Sequence, residues 1–413
     1  MREDLDGLMA SRELDAILVQ GKVLGNPPLI YVLNGVRMTS ALFVKKRGGE
    51  PTLIVGPMER ETAAATGYPV VLNTKYGYSA LLKEHDGDVL NASVAYFRRI
   101  FDDLGIRGRL GCYGHLDQGY AYALLTALDA ALPDVEIVGE VEENVIKTAR
   151  ATKSSQEVAR IRDVGRRTVR VVQQTLAFLR SHMVGEDEIL QKEDGAPLLV
   201  GDVHQHIAGL VAAEGLEDPE GFIFATGRDA GIPHSRGTLD APMRLGESIV
   251  FDIFPREVGG GYFYDLTRTF CLGYAPETVQ RLHRDVVDCL EALKAAFRVG
   301  EEARAYQKMT CDFLRERGHA TIQEDPATQE GYVHSVGHGV GLDIHESPRF
   351  QDALGNETRL QPGHLFAVEP GLYYPEAGMG CRVEDVLWLD EKDGVHDLTD
   401  MPYDLVVPMP TSA

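Results

Sequence analysis

The chain has little of what marks an exported, membrane-bound or nucleic-acid-binding protein. Its five cysteines, Cys112, Cys271, Cys289, Cys311 and Cys381, are odd in number, widely spaced and contain no CxxC pair, so no disulfide framework is expected. No apolar run approaches the roughly 18 residues that a membrane span needs. The opening residues, Met1-Arg-Glu-Asp-Leu-Asp, hold acids where a signal peptide needs a basic and then an apolar region. Positive charge is scarce: 41 Lys and Arg stand against 63 Asp and Glu, for a formal net charge of -22, and no basic cluster offsets it. Such a surface repels nucleic-acid phosphate and anionic lipid. Also missing are a GxGxxG opening a helix, a short-period repeat and any low-complexity segment. These absences imply a soluble, cytoplasmic protein with reduced, buried thiols and no nucleic-acid or membrane partner.

What is present points to two domains, because 413 residues exceed the roughly 250–300 that one core supports. Apolar residues at 44% and charged residues at 25% are those of an ordinary globular chain. Residues 1–150 alternate short apolar runs at 16–19, 29–33, 41–44, 52–55, 70–72, 110–113 and 135–138 with helical patterns at 56–66, 88–104 and 117–131. The runs read as strands, and the alternation as a small α/β domain. At Thr152-Lys-Ser-Ser-Gln-Glu an N-cap signal opens a long amphipathic helix to about residue 182, and the boundary belongs just before it. In residues 151–413 strands and helices come in blocks, with strands expected at 222–226, 248–254, 262–271, 365–369 and 381–389, which argues α+β for the second domain.

Several of those strands carry a carboxylate where the pattern calls for an apolar side chain. Asp252 stands inside Ile249-Val-Phe-Asp-Ile-Phe, Glu369 ends Leu365-Phe-Ala-Val, and Glu384 interrupts Cys381-Arg-Val-Glu-Asp-Val-Leu-Trp. Asp265 lies on the strand expected to pair with the Asp252 strand through Gly259-Gly260-Gly261, a hairpin that brings the two acids together. A buried lone carboxylate costs several kcal/mol unless paired or coordinated. Any one of these acids alone reads as an ordinary salt-bridged residue. Four of them converging need compensating cations, and two divalent ions with one neutral histidine would complete an oxygen-rich binuclear site. His334-Ser-Val-Gly-His338-Gly-Val-Gly-Leu-Asp-Ile-His345 supplies the histidine, its glycines allowing close backbone approach.

With these residues in view the sequence resembles the pita-bread metallopeptidases, and within them the prolidase and aminopeptidase P branch. The resemblance runs from about residue 150 to 405 through Pro233-His234-Ser, Asp252, Asp265-Leu-Thr-Arg-Thr-Phe, Gly337-His338-Gly, His345-Glu, Val368-Glu369-Pro-Gly-Leu-Tyr and Arg382-Val-Glu384-Asp, in that order. It implies a pita-bread catalytic domain at 151–413 behind a smaller creatinase-N-like domain at 1–150. It also implies metal ligands Asp252, Asp265, His338, Glu369 and Glu384, with Asp265 and Glu384 bridging two divalent ions. Manganese, cobalt, iron or zinc suits such donors. Asp252 and Asp265 are thirteen positions apart, two more than is usual in the family hairpin, and the stretch near 188–202 is atypical.

The resemblance further implies a homodimer that hydrolyses the peptide bond before proline with hydroxide shared between the ions, acting on small peptides as an Xaa-Pro dipeptidase or, alternatively, as aminopeptidase P on longer ones. Glu369 would shuttle the proton, and His234 and His345 would donate hydrogen bonds to the scissile carbonyl or steady the substrate. His334 would line the substrate pocket. Arg382, two residues before Glu384 on an expected strand, faces the same way; it either supports the ligand carboxylates or grips a dipeptide's terminal carboxylate. A metal-free creatinase-type hydrolase and a non-catalytic binding protein share the fold, and the five filled ligand positions tell against both. Cys381 is expected to face away from the metals, and His204 and His206, two apart on a helix, share no face.

Overall fold

The computed structural model describes residues 4–410 except 142, 391 and 393. The chain divides into two compact units, one running to Arg150 and taking in Gly259–Gly261, the other made of Ala151–Val258 and the chain from Tyr262 onward. All five cysteines are free, and no helix among the described residues is long and apolar enough to cross a membrane.

The first unit is built on one sheet of β1 (Ala16–Lys22), β2 (Ser40–Lys46), β3 (Thr52–Val55), β4 (Val70–Leu72), β5 (Gly108–Tyr113) and β6 (Val135–Val138), in the order β4-β3-β2-β1-β5-β6. β2 runs antiparallel to β1 and β3, while β1, β5 and β6 are mutually parallel and β4 is parallel to β3, so every strand but β2 ends at the same edge. Helices Val89–Leu104 and Gln118–Ala131 bury Phe97, Ile100, Phe101, Leu124 and Leu128 against Leu18, Val44, Ile54 and Leu110. One expected strand is absent: residues 29–32 belong to helix Pro27–Val32, and Leu33 is its C-cap. Two prolines in its first turn have φ already set and need no amide partner there, and the Asn26 side chain accepts from Leu29 N, so local chemistry overrides an apolar run that reads equally well as a strand.

The second unit opens with helix Ser155–Arg180, whose first turn is closed by reciprocal bonds between Ser154 and Glu157. Strands Ile223–Thr226, Ser248–Ile253, Leu266–Leu272 and Val406–Val407 form one sheet in that order. A second sheet runs Glu346–Arg349, Gly337–Gly339, Leu365–Val368, Asp385–Leu389 and Val395–Asp397, and Gly371–Tyr374 pairs with Met379–Arg382 as a hairpin. Helices Glu277–Ala296 and Ala303–Glu316 bring Val286, Leu290, Leu293 and Leu314 onto Phe366, Leu372, Val383 and Leu387. Each such side chain, fully buried, is worth about 1.5–3 kcal/mol. Cys381 lies in this core. The expected single strand over 381–389 is two, broken at Val383 and Glu384. The atypical stretch near 188–202 forms a small ladder, Met183–Val184 against Leu190–Gln191, before helix Val200–Ala213.

Candidate active site

The Asp252 strand is paired so that Asp252 lies opposite Thr267 and Ile253 opposite Leu266. Asp265 falls just before its strand begins, so the two acids meet on a diagonal and not directly across the ladder. They still share a face, because positions two apart on a strand point the same way. The bridge between Arg256 and Phe263 continues the same register toward the glycine turn. Thr267, on that same face, donates from Oγ1 to Glu384 Oε2 at 2.7 Å. Glu384 is held at the strand break by its own N–H to Thr267 O at 3.1 Å and by Arg268, which donates to the Glu384 carbonyl at 2.7 Å.

His338 is the middle residue of a three-residue strand hydrogen-bonded on both edges. A Cβ at Gly337 would sit 2.2 Å from Ala367 O, and one at Gly339 would sit 2.1 Å from Ser347 O. Only glycine permits that approach. His338 Nδ1 lies 3.2 Å from Gly339 O and, facing a carbonyl, carries the proton. The lone pair is therefore on Nε2, which stands 3.6 Å from Asp265 Oδ2 and 3.4 Å from Glu369 Oε1.

Arg382 is 3% exposed, and its guanidinium is committed to the protein. It donates to Asp252 Oδ2 at 2.5 Å, Tyr373 Oη at 2.7 Å, Pro233 O at 3.2 Å and Thr267 Oγ1 at 3.3 Å. Tyr373 in turn lies 2.9 Å from His334 Nε2, while His334 Nδ1 is 2.7 Å from Ser335 O. The carbonyl fixes the tautomer: Nδ1–H donates to Ser335, so Tyr373 donates to Nε2 and accepts from Arg382. Both ring nitrogens of His334 are thus used internally. Arg382 thus holds Asp252 and the Pro233 carbonyl of the His234 loop, and the same-face reasoning from one continuous strand does not hold, since the strand ends at Arg382.

A cavity of about 500 Å³ is lined by all nine residues singled out from the sequence: His234, Asp252, Asp265, His334, His338, His345, Glu369, Arg382 and Glu384. Ligand atoms of Asp265, His338 and Glu384 all lie within 4.8 Å of one another. Burial and the neighbouring carboxylates push Asp265 and Glu384 well above the usual carboxylate range, and burial pushes Glu369 up to about 8 against the pull of Arg382. Burial also holds His338 neutral, down to about 3. Asp252 Oδ1, Asp265 Oδ1 and Glu384 Oε1 are buried and have no hydrogen-bond partner among the described residues. Buried carboxylate oxygens without donors, beside an imidazole lone pair, are a donor set that a divalent cation satisfies.

The model of metallopeptidase family M24 matches residues 159–391, more than half of the chain. The chain belongs to metallopeptidase family M24. It is 31% identical over 264 residues to a probable dipeptidase PepE of Mycobacterium tuberculosis, a match covering 64% of this chain and 62% of that relative, so it spans less than two thirds of the relative's length. In fold it is similar to an Xaa-Pro dipeptidase from Bacillus anthracis, with a TM-score of 0.74, 22% identity and 98% of each chain covered. An X-Pro aminopeptidase from Thermotoga maritima aligns with a TM-score of 0.72 and 21% identity, over 96% of this chain and 99% of that one. The M24 chain accordingly carries the pita-bread fold.

Sequence reasoning assigned no role to three residues of the cavity region. Tyr373 was visible only as the last letter of Glu369-Pro-Gly-Leu-Tyr, and its link to Arg382 comes from the hairpin pairing. Arg349 and Glu220 line the cavity, are exposed, and make no ion pair among the described residues. Two of the other histidines pack within the fold: His206 stacks on Phe178 with ring centres 3.9 Å apart, and His319 lies 2.8 Å from Tyr374 Oη and 3.2 Å from Asp285.

Proposed function

We propose that this M24 chain is a divalent-metal exopeptidase that hydrolyses the peptide bond before proline, with Xaa-Pro dipeptides as its substrates. The observation that carries the reading is the composition of one cavity. It combines the carboxylate and imidazole donors with the Arg349 guanidinium and the Glu220 carboxylate, which form no ion pair among the described residues, and apolar walls from Ile223, Ile344 and Phe350. A dipeptide presents an ammonium, a carboxylate and an apolar ring, and each has a counterpart here.

Asp252, Asp265, His338, Glu369 and Glu384 would hold two divalent ions. When bound, these supply Lewis acidity, acidifying water and polarising the scissile carbonyl. Glu369, facing the cavity beside His338, carries a proton toward the leaving nitrogen. His345, with its ring centre 4.3 Å from that of His338, and His234, on the loop that Arg382 ties through Pro233 O, donate hydrogen bonds to the carbonyl oxygen as charge develops there. Arg349 takes the terminal carboxylate in bidentate fashion, and Glu220 faces the free ammonium.

The test is hydrolysis by metal-depleted enzyme reloaded with manganese or zinc, comparing an Xaa-Pro dipeptide with the matching Xaa-Pro-Yaa tripeptide. Restored activity with the dipeptide strongly preferred is the expected result. Equal or faster cleavage of the tripeptide makes the chain an aminopeptidase P instead, and full activity after exhaustive chelation removes the metal reading.

A further inference from the structure

The first unit contains a second cavity, of about 610 Å³, that shares no residue with the peptidase site. Gln20 on β1, Asn73 just after β4, Tyr78, Ser93 and Tyr96 on the covering helices and Tyr120 after β5 line it. Its sheet residues come from β1 and β2, with Asn73 following β4, so it lies toward the carboxyl end of β1 on the β2–β4 side of the sheet.

The lining selects the chemistry. In a chain of net charge -22, every residue around this cavity is uncharged, so an ionic ligand finds no counter-ion. Gln20 is only 7% exposed, and its carboxamide makes no hydrogen bond among the described residues; its main-chain carbonyl accepts from Asn26 Nδ2 at 3.1 Å. The amide opens on the cavity, where it is available to pair with a ligand. Its C=O and NH₂ lie in one plane and complement a ring that offers N–H beside C=O. Tyr96 packs edge-on against Tyr78 and Tyr76, with ring centres 5.6 and 6.0 Å away, giving an aromatic wall for a flat ring.

We infer that this cavity binds a neutral ring with a cis-amide edge, the chemistry shared by a uracil-type base and a cyclic dipeptide. The inference is independent of the peptidase reading. The test titrates the full-length protein with uridine, with cyclo(Gly-Pro) and with maltose, by calorimetry or saturation-transfer NMR. One of the two cis-amide rings should bind, and which of them does identifies the source. Gln20→Leu should weaken that binding about tenfold or more, with melting temperature and peptide hydrolysis unchanged. If Gln20→Leu does not fold, Asn73→Ala at the partly exposed rim gives the same reading. Absence of binding by both rings at up to about 10 mM overturns the inference, as does preferential binding of maltose or an affinity that neither variant alters.

Discussion

Replacing Arg382 with methionine separates two roles that the sequence alone leaves equal. The side chain keeps its approximate length and loses its donors, leaving Asp252 Oδ2, Tyr373 Oη, Pro233 O and Thr267 Oγ1 without the partners now at 2.5, 2.7, 3.2 and 3.3 Å. Asp252 is 8% exposed, and its Oδ1 already lacks a donor, so the carboxylate becomes an unpaired buried charge. Removing one partner of a buried ion pair typically costs about 3–5 kcal/mol. If about 3 kcal/mol of that is felt in positioning Asp252 and the His234 loop during turnover, kcat falls about a hundredfold. The fall should be the same for an Xaa-Pro dipeptide and an Xaa-Pro-Yaa tripeptide, because no substrate carboxylate is involved. The assay pairs kcat and KM for both peptides with urea unfolding of metal-depleted protein, where the midpoint should drop. A rise in KM confined to the dipeptide, with stability intact, would refute the reasoning and return Arg382 to the role of a carboxylate clamp.

The complementary variant is Arg349→Ala: with no ion pair to break, it should leave stability unchanged, raise KM for dipeptides about tenfold or more, and leave tripeptides nearly unaffected. Equal effects on both peptides would remove Arg349 from substrate recognition. Gly337→Ala should cost about 1–3 kcal/mol and weaken manganese binding measured by calorimetry, since a Cβ 2.2 Å from Ala367 O forces the His338 strand away from its neighbour; wild-type affinity would contradict this. His364, buried and close to the Lys153 cation, is held down to about 3 from an ordinary 6.5, so the fold prefers its neutral form. Its contribution to stability is complete above pH 6.5 and is lost as pH falls toward 3. His364→Asn, which keeps an acceptor for the Gln361 amide now 3.2 Å away, should flatten that part of the pH–stability curve, and an unchanged slope would show that other groups set it.

How far the site could be read in advance depended on whether a residue's role leaves a local trace. Asp252, Glu369 and Glu384 break an apolar pattern, and the break is in the sequence itself. Gly337 and Gly339 flank His338 and signal close approach, which Ala367 O and Ser347 O account for atom by atom. Tyr373, by contrast, sits in a stretch where a tyrosine is unremarked, and becomes part of the site only because a hairpin sets Gly371 opposite Arg382. Arg349 lies on an edge strand whose charge is ordinary for an exposed position.

The two misread elements share a physical cause. Residues 29–33 are apolar enough for a strand, but Pro27, Pro28 and the Asn26 cap act before the apolar pattern does, and a helix forms. Residues 381–389 are apolar enough for one strand, but a carboxylate that must face the cavity while its main chain is bound by Thr267 and Arg268 takes Glu384 out of the pleat. Arg382 and Glu384 therefore reach the same cavity by different routes, one from a strand end and the other from a break, and a shared face on one continuous strand is not what brings them there. Period-two reasoning is safe only while the ladder is continuous, and a buried charge inside a predicted strand is itself a sign that the ladder stops there.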